Sequence, residues 1–143
     1  MQIEERIHIP VPPSVIDDIW SEVDSWHLWD PDTKQAHLDG PFAVGTKGRI
    51  VPSKGMGVAM VVTERTPGRS FTVDGYIPLF RMHFEHTVIP VDDDSEVLHR
   101  VWFTGALAFL FGPGVIKQLK TGLPRTLLSL KAYAEKRHQL TQL

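Results

Sequence analysis

Apolar residues along the chain change their spacing in a way that divides it into elements. In "IEERIHIPV" Ile3, Arg6 or Ile7, and Ile9 alternate loosely, which predicts a first strand closed by Pro10, Pro12 and Pro13. The period then lengthens. "PSVIDDIWSEV" sets Val15, Ile16, Ile19, Trp20 and Val23 at helical steps and Asp17, Asp18 and Glu22 on the other face. "SWHLWD" predicts a second short helical turn, stopped by Pro31 and carrying Trp26 and Trp29 on one side. From residue 32 the spacing returns to two. "KQAHLDG", "GTKGRIVP", "VAMVVTER", "FTVDGYIP", "RMHFEHTVIPV" and "EVLHRVWFTG" read as strands, separated by the turn clusters "DGPFAVG", "SKGMG", "TPGRS" and "DDDS". Such short connections predict an antiparallel meander.

The chain closes with helical spacing again. Ile116, Leu119, Leu123, Leu127, Leu130 and Ala134 form one seam of a long helix expected at about residues 113–138. Lys117, Lys120, Arg125, Lys131, Lys136 and Arg137 lie mostly off the seam and read as its solvated face. Gly122 and Pro124 interrupt it, and the proline is expected to kink it. The whole is an α+β fold: a curved antiparallel sheet of about seven strands, two short helices and one long C-terminal helix. A helix laid across a curled sheet touches it at the ends and leaves space in the middle.

Length and composition then exclude classes. At 143 residues the chain is expected to form a single domain, residues 1–143, able to bury a core around a cavity. A net charge of −2 argues against nucleic acid. No cysteine is present, which excludes disulfides, thiolate nucleophiles and Cys-based zinc sites and fits a cytoplasmic setting. "MQIEERIHIP" lacks the apolar stretch of a signal peptide, and "GALAFLFGPGVI" is too short to span a bilayer.

Candidate chemistry follows from strand parity. In "FRMHFEHTV" Phe80, Met82, Phe84, His86 and Val88 share the face opposite the polar Arg81, His83, Glu85 and Thr87. In "VLHRVWF" Val97, His99, Val101 and Phe103 share a face. The "VDDDS" turn makes these strands a hairpin, so His86 and His99 are expected to point inward, close together or on a diagonal. Burial favours neutral imidazoles, which can hold a ligand carbonyl or hydroxyl or move a proton. The alternative is that each satisfies a backbone group or a buried neighbour, the usual role of buried polar residues. His83 and His86 in "HFEH" fall on opposite faces and cannot share a metal; no metal site and no cofactor are expected. The glycine-rich "GTKG" and "KGMG" read as turns, and no serine nucleophile elbow is present. Val58, Met60 and Val62 in "VAMVV", with Phe71 and Val73 in the next strand, complete an apolar lining against Leu119, Leu123 and Leu127. Plain core packing is the alternative for each of them.

Taken in order, "SWHLWDP", "GPFAVGTKGRI", the "PG" turn before "FTV", "FEHTVIP", "LHRVWFTG" and "LPRTLLSLKAYAE" make the chain resemble the polyketide cyclase/dehydrase-like branch of the START/Bet v 1-like (SRPBCC) superfamily over nearly its whole length. The resemblance implies a helix-grip fold with a deep cavity between sheet and last helix. It also implies that Trp26 and Trp29 sit at one rim, at least one of them a core anchor and the other lining the mouth. The expected function is binding, with possible transport, of a hydrophobic small molecule such as a lipid, isoprenoid or aromatic polyketide. Membrane contact is expected to be at most transient. One alternative is a cyclase/dehydrase-type enzyme using His86 and His99. Another is a co-chaperone-like partner protein, for which only "LAFLF" offers an apolar surface. The lining is expected from Trp29, Met60, Val62, Phe71 and Val73, continuing through Met82, Phe84, His86, His99, Val101 and Phe103 to Leu119, Leu123 and Leu127. "GALAFLFGPG" is read as a flexible loop whose Leu107, Phe109, Leu110 and Phe111 gate the cavity, against the alternative that they are core.

Overall fold

The computed structural model of the chain describes residues 2–142. The strands are β1 (Gln2–Ile9), β2 (Thr33–Leu38), β3 (Lys47–Pro52), β4 (Val58–Thr66), β5 (Ser70–Ile77), β6 (Phe80–Val91) and β7 (Asp94–Thr104); the helices are α1 (Pro13–Ser21) and α2 (Ala108–Thr141). A 3₁₀ segment over Val23–Leu28 carries Trp26. All strands join one antiparallel sheet in the order β1-β7-β6-β5-β4-β3-β2. β1 and β2 are therefore opposite edges, and α1 with the 3₁₀ segment carries the chain between them. The later strands return one hairpin at a time until β7 closes on β1. The sheet curls around α2 in the expected helix-grip arrangement.

Each element follows from its own residues. Pro12 at the N-cap and Pro13 at the first helical position preset the entry to α1. Its apolar side buries Ile16, Ile19 and Trp20. Asp17, expected on the solvated side, instead accepts two hydrogen bonds from Arg65 of β4, at 2.6 and 2.9 Å, and both side chains are nearly buried. That ion pair fastens α1 to the sheet.

α2 starts at Ala108, not near residue 113, so residues 108–114 are helix rather than loop. Gly112, Pro113 and Gly114 read as breakers, yet tertiary anchors override propensity here. Gly105 turns the chain at φ 104°, the Leu107 N–H donates to Leu79 O at 2.9 Å, and Phe111 packs edge-on against Phe80 at 5.6 Å. The helix runs through both Pro113 and Pro124. Leu123, Leu127, Leu130 and Ala134 of the predicted seam are buried, while Ile116 and Leu119 stay half-buried. Within the sheet, α2 makes its most extensive contact with β1.

The core has two parts. The larger surrounds Trp20, Trp26, Trp29, Phe71, Leu127 and Leu130. The smaller holds Phe80, Val101, Phe103 and Leu123, flanked by Met82, Leu107, Ile116 and Leu119. Phe84 flanks both. Burying a large apolar side chain stabilises by about 1.5–3 kcal/mol, so these clusters account for much of the cohesion between sheet and helices.

Candidate functional site

Strand register builds one transverse row on the concave face. Phe71 of β5 stands opposite His86 of β6, His86 opposite His99 of β7, and His99 opposite Glu5 of β1. Adjacent strands place directly opposed side chains close together. The rings of Phe71 and His86 stack at 4.1 Å with 5° between planes. His86 meets His99 edge-on at 4.3 Å. The two histidines are thus direct neighbours, not a diagonal pair. Burial pushes the His86 imidazolium well below its usual pKa, and neighbouring His99 adds to the effect. Burial alone lowers His99 to about 3. Both rings are neutral at pH 7.

Two tryptophans close over this pair. Trp20 from α1 lies 5.9 Å from His86 and Trp29 lies 6.4 Å from His99, measured between ring centroids. Trp26 satisfies its indole N–H on Trp20 O at 2.9 Å and packs on Phe71. Trp26 and Trp29 are 4% and 2% exposed, so both are anchors and neither stands at an open mouth. Within this ring cluster Trp20 Nε1, Trp29 Nε1, His86 Nδ1 and His99 Nε2 are sealed from solvent without a hydrogen-bond partner. Each such atom costs about 1–3 kcal/mol. Four together are uncommon, because buried polar groups are nearly always paired.

Glu5 and Trp20 are the members of this site that strand and helix patterning passed over. Glu5 shares parity with Ile3, Ile7 and Ile9, so strict period-two reading of β1 would have turned it inward; it is half-buried. Trp20 was visible as an apolar helix residue, but its unpartnered N–H depends on packing.

The expected lining residues fall into distinct environments. Met60, Val62, Phe71, Val73 and Val101 are buried, as are Phe103, Leu123 and Leu127. Met82, Phe84, His86 and Leu119 remain half-buried, and Phe84 packs against both core clusters. Two clefts lie away from the His86–His99 pair. One of about 350 Å³ lies beside Ser21, Val23, Leu38 and Phe42, and another of about 290 Å³ beside Arg69, Val88 and Pro90. Of the expected gate residues, Leu107 is half-buried, whereas Phe109, Leu110 and Phe111 are 75%, 59% and 42% exposed on the first turns of α2. They are not core. Exposed Ile77 and Leu79 belong to the hairpin that holds Leu107, and Leu79 carries a left-handed φ of 65°.

The convex face holds a separate network. Buried Asp74 pairs with Arg81 Nε at 2.6 Å and accepts from His83 Nδ1–H at 2.8 Å. His83 Nε2 is hydrogen-bonded with Thr104 Oγ1 at 2.8 Å, and its ring stacks on Trp102 at 5.0 Å. His83 therefore serves the outer surface while His86 serves the interior, as their spacing on a strand requires. Among the described residues no group of three His, Cys, Asp or Glu side chains could hold a metal, and no helix is long and apolar enough to cross a membrane.

The family model for polyketide cyclase/dehydrase and lipid transport matches residues 1–135. The chain is also similar to solved structures. A START superfamily protein from Mycobacterium smegmatis is 13% identical, with TM-score 0.74 over 94% of this chain and 97% of that one. Ara h 8.0201 is 14% identical, with TM-score 0.72 over 95% and 98%. The di-domain ARO/CYC StfQ from the steffimycin biosynthetic pathway is 13% identical, with TM-score 0.76 over 96% of this chain and 51% of StfQ. At these identities the structures establish the fold. The sequence has no match among curated proteins.

Proposed function

Because the chain belongs to the polyketide cyclase/dehydrase and lipid transport family, we propose that it is a one-domain binding protein for a hydrophobic small molecule, held between the sheet and α2. The observation that carries this reading is the division of the core. Met82, Phe84 and Leu119 flank the smaller apolar cluster yet are only half-buried, and Phe84 packs against both clusters. A ligand parting the clusters there would meet Val101, Phe103 and Leu123 on one side and Met60, Val62, Phe71 and Val73 on the other. Entry requires displacement of the first turns of α2, where Leu107, Phe109, Leu110 and Phe111 form the gate. Lipids, isoprenoids and aromatic polyketides all fit an apolar interior of this kind.

An enzymatic reading, cyclisation or dehydration, draws on the adjacency of His86 and His99. Their chemistry favours binding instead. A general base works best with a pKa near the operating pH, and burial holds His99 at about 3. Fixed neutral imidazoles are better suited to orienting an oxygen atom than to removing a proton at pH 7.

Native mass spectrometry of freshly purified protein is expected to show a copurified small molecule. The neutral dye N-phenyl-1-naphthylamine is expected to bind with one-to-one stoichiometry and to be displaced by fatty alcohols. A folded protein that takes up neither would refute the reading.

A further inference from the structure

The convex face of the sheet, away from the interior and from the ligand-binding reading, sets a hydroxyl, an imidazole and a carboxylate in line. We propose that Thr104, His83 and Asp74 act there as nucleophile, base and orienting carboxylate in the hydrolysis of small uncharged esters, with Thr104 Oγ1 as the attacking atom.

Strand register assembles the row. Asp74 of β5 stands opposite His83 of β6, and Thr104 of β7 stands opposite Arg81, which shares its face with His83. His83 Nδ1 lies 2.8 Å from Asp74 Oδ1, and His83 Nε2 lies 2.8 Å from Thr104 Oγ1. The Asp74 carboxylate holds the Nδ1 proton, so the uncharged ring turns its Nε2 lone pair to the Thr104 hydroxyl. Stacking on Trp102, with 11° between planes, keeps the ring in that orientation. Exposure rises along the row, from the Asp74 side chain at 4% through His83 at 16% to exposed Thr104. The attacking oxygen is therefore the member that a substrate reaches first.

The next residue supplies an independent observation. Gly105 is exposed, adopts a φ of 104°, and its N–H makes no hydrogen bond among the described residues. An N–H directly after the nucleophile is placed to receive the oxygen that turns negative when a carbonyl is attacked. A Cβ at Gly105 would lie 2.5 Å from Leu79 O, so glycine is required here, and Leu79, itself exposed, borders the site as an apolar rest for the acyl group. Arg81 gives its Nε to Asp74 and adds positive charge opposite Thr104.

In the first step Thr104 Oγ1 bonds to the ester carbonyl carbon while its proton passes to His83 Nε2. The oxyanion rests on Gly105 N–H. Its collapse breaks the bond to the alcohol oxygen, which leaves with the proton from His83. A water molecule, giving its proton to the same nitrogen, then attacks the acyl-threonine and releases the acid, and His83 returns the proton to Thr104.

The test uses p-nitrophenyl acetate at neutral pH, with release of p-nitrophenolate followed in solution and acid-quenched protein mapped by peptide mass spectrometry. Wild-type protein is expected to carry an acetyl group on Thr104 and to turn over. Thr104→Val, close in shape but without the hydroxyl, should lose both, and Thr104→Ser should keep both. His83→Gln should slow acetylation by about a hundredfold, the usual worth of a positioned general base. Circular dichroism checks that each variant folds, and the wild-type map decides the matter even if one does not. Wild-type protein without acetyl on Thr104, or acetylated on lysines alone, overturns the proposal. So does hydrolysis that survives in Thr104→Val, whether or not it is lost in His83→Gln.

Discussion

Protonating His99 would place a charge against Trp29 and between Val97 and Val101 on its own strand, and this has a measurable consequence for stability. The unfolded chain takes up a proton on this histidine as pH falls through about 6.5, whereas the folded chain resists until about 3. The stability this represents is therefore present above pH 6.5 and lost as pH falls from there toward 3. Between pH 7 and 4.5 the unfolding free energy of the wild type should drop by about 2 kcal/mol more than that of His99→Leu, as read from urea denaturation at a series of pH values. Parallel curves would mean that the ring is not held neutral by its surroundings. The inward parity of His86 and His99 was legible in the sequence because strand alternation is local. Their direct opposition was less so, since it depends on the two-residue turn between β6 and β7. The orphaned indole of Trp20 was not legible at all, because whether an N–H finds a partner is decided by residues distant along the chain.

At the scale of elements, α1 and the start of α2 depart most from pattern. Asp17 looked like solvated helix surface; nothing in the periodicity of α1 marks Arg65 as its partner on β4. Removing one member of a nearly buried ion pair strands the other charge, so Asp17→Ala is expected to destabilise by about 3 kcal/mol in denaturant unfolding. A change within experimental error would show that Arg65 finds water instead. The first turns of α2 escaped recognition because glycine and proline are read as breakers, while the hydrogen bond from Leu107 to Leu79 and the ring packing of Phe111 on Phe80 depend on the β5–β6 hairpin. That region combines exposed aromatic side chains, a strained leucine and glycines on the helix, all marks of a segment low in local stability. Hydrogen exchange should find the amides of residues 107–112 and of Gly114 fast in the free protein and slowed by the bound neutral dye, while those of residues 125–134 stay protected throughout. Strong protection of 107–114 in the free protein would remove the gate.

For the molecule as a whole, the order of strands and helices and the helix-grip arrangement were legible because period and turn chemistry are written locally, and the ordered motifs pointed to the family. The packing of the interior was not, since it depends on how Trp20, Trp26, Trp29 and Phe71 meet one another, and patterning records which residues face inward but not how much space they occupy. One further property follows from the placement of β1 at the sheet edge. Gln2 pairs with Trp102 and Ile9 with Ser95, so β1 has no partner until β7, the last strand of the sheet, has been made. During synthesis "QIEERIHI" is an unpaired edge whose alternating isoleucines could join a neighbouring chain, and the charges of Glu4, Glu5 and Arg6 interleaved among them act as a brake on that misassembly. Closure of the sheet is a long-range event that must wait for the chain to come full circle, and it sets the pace at which the protein becomes itself.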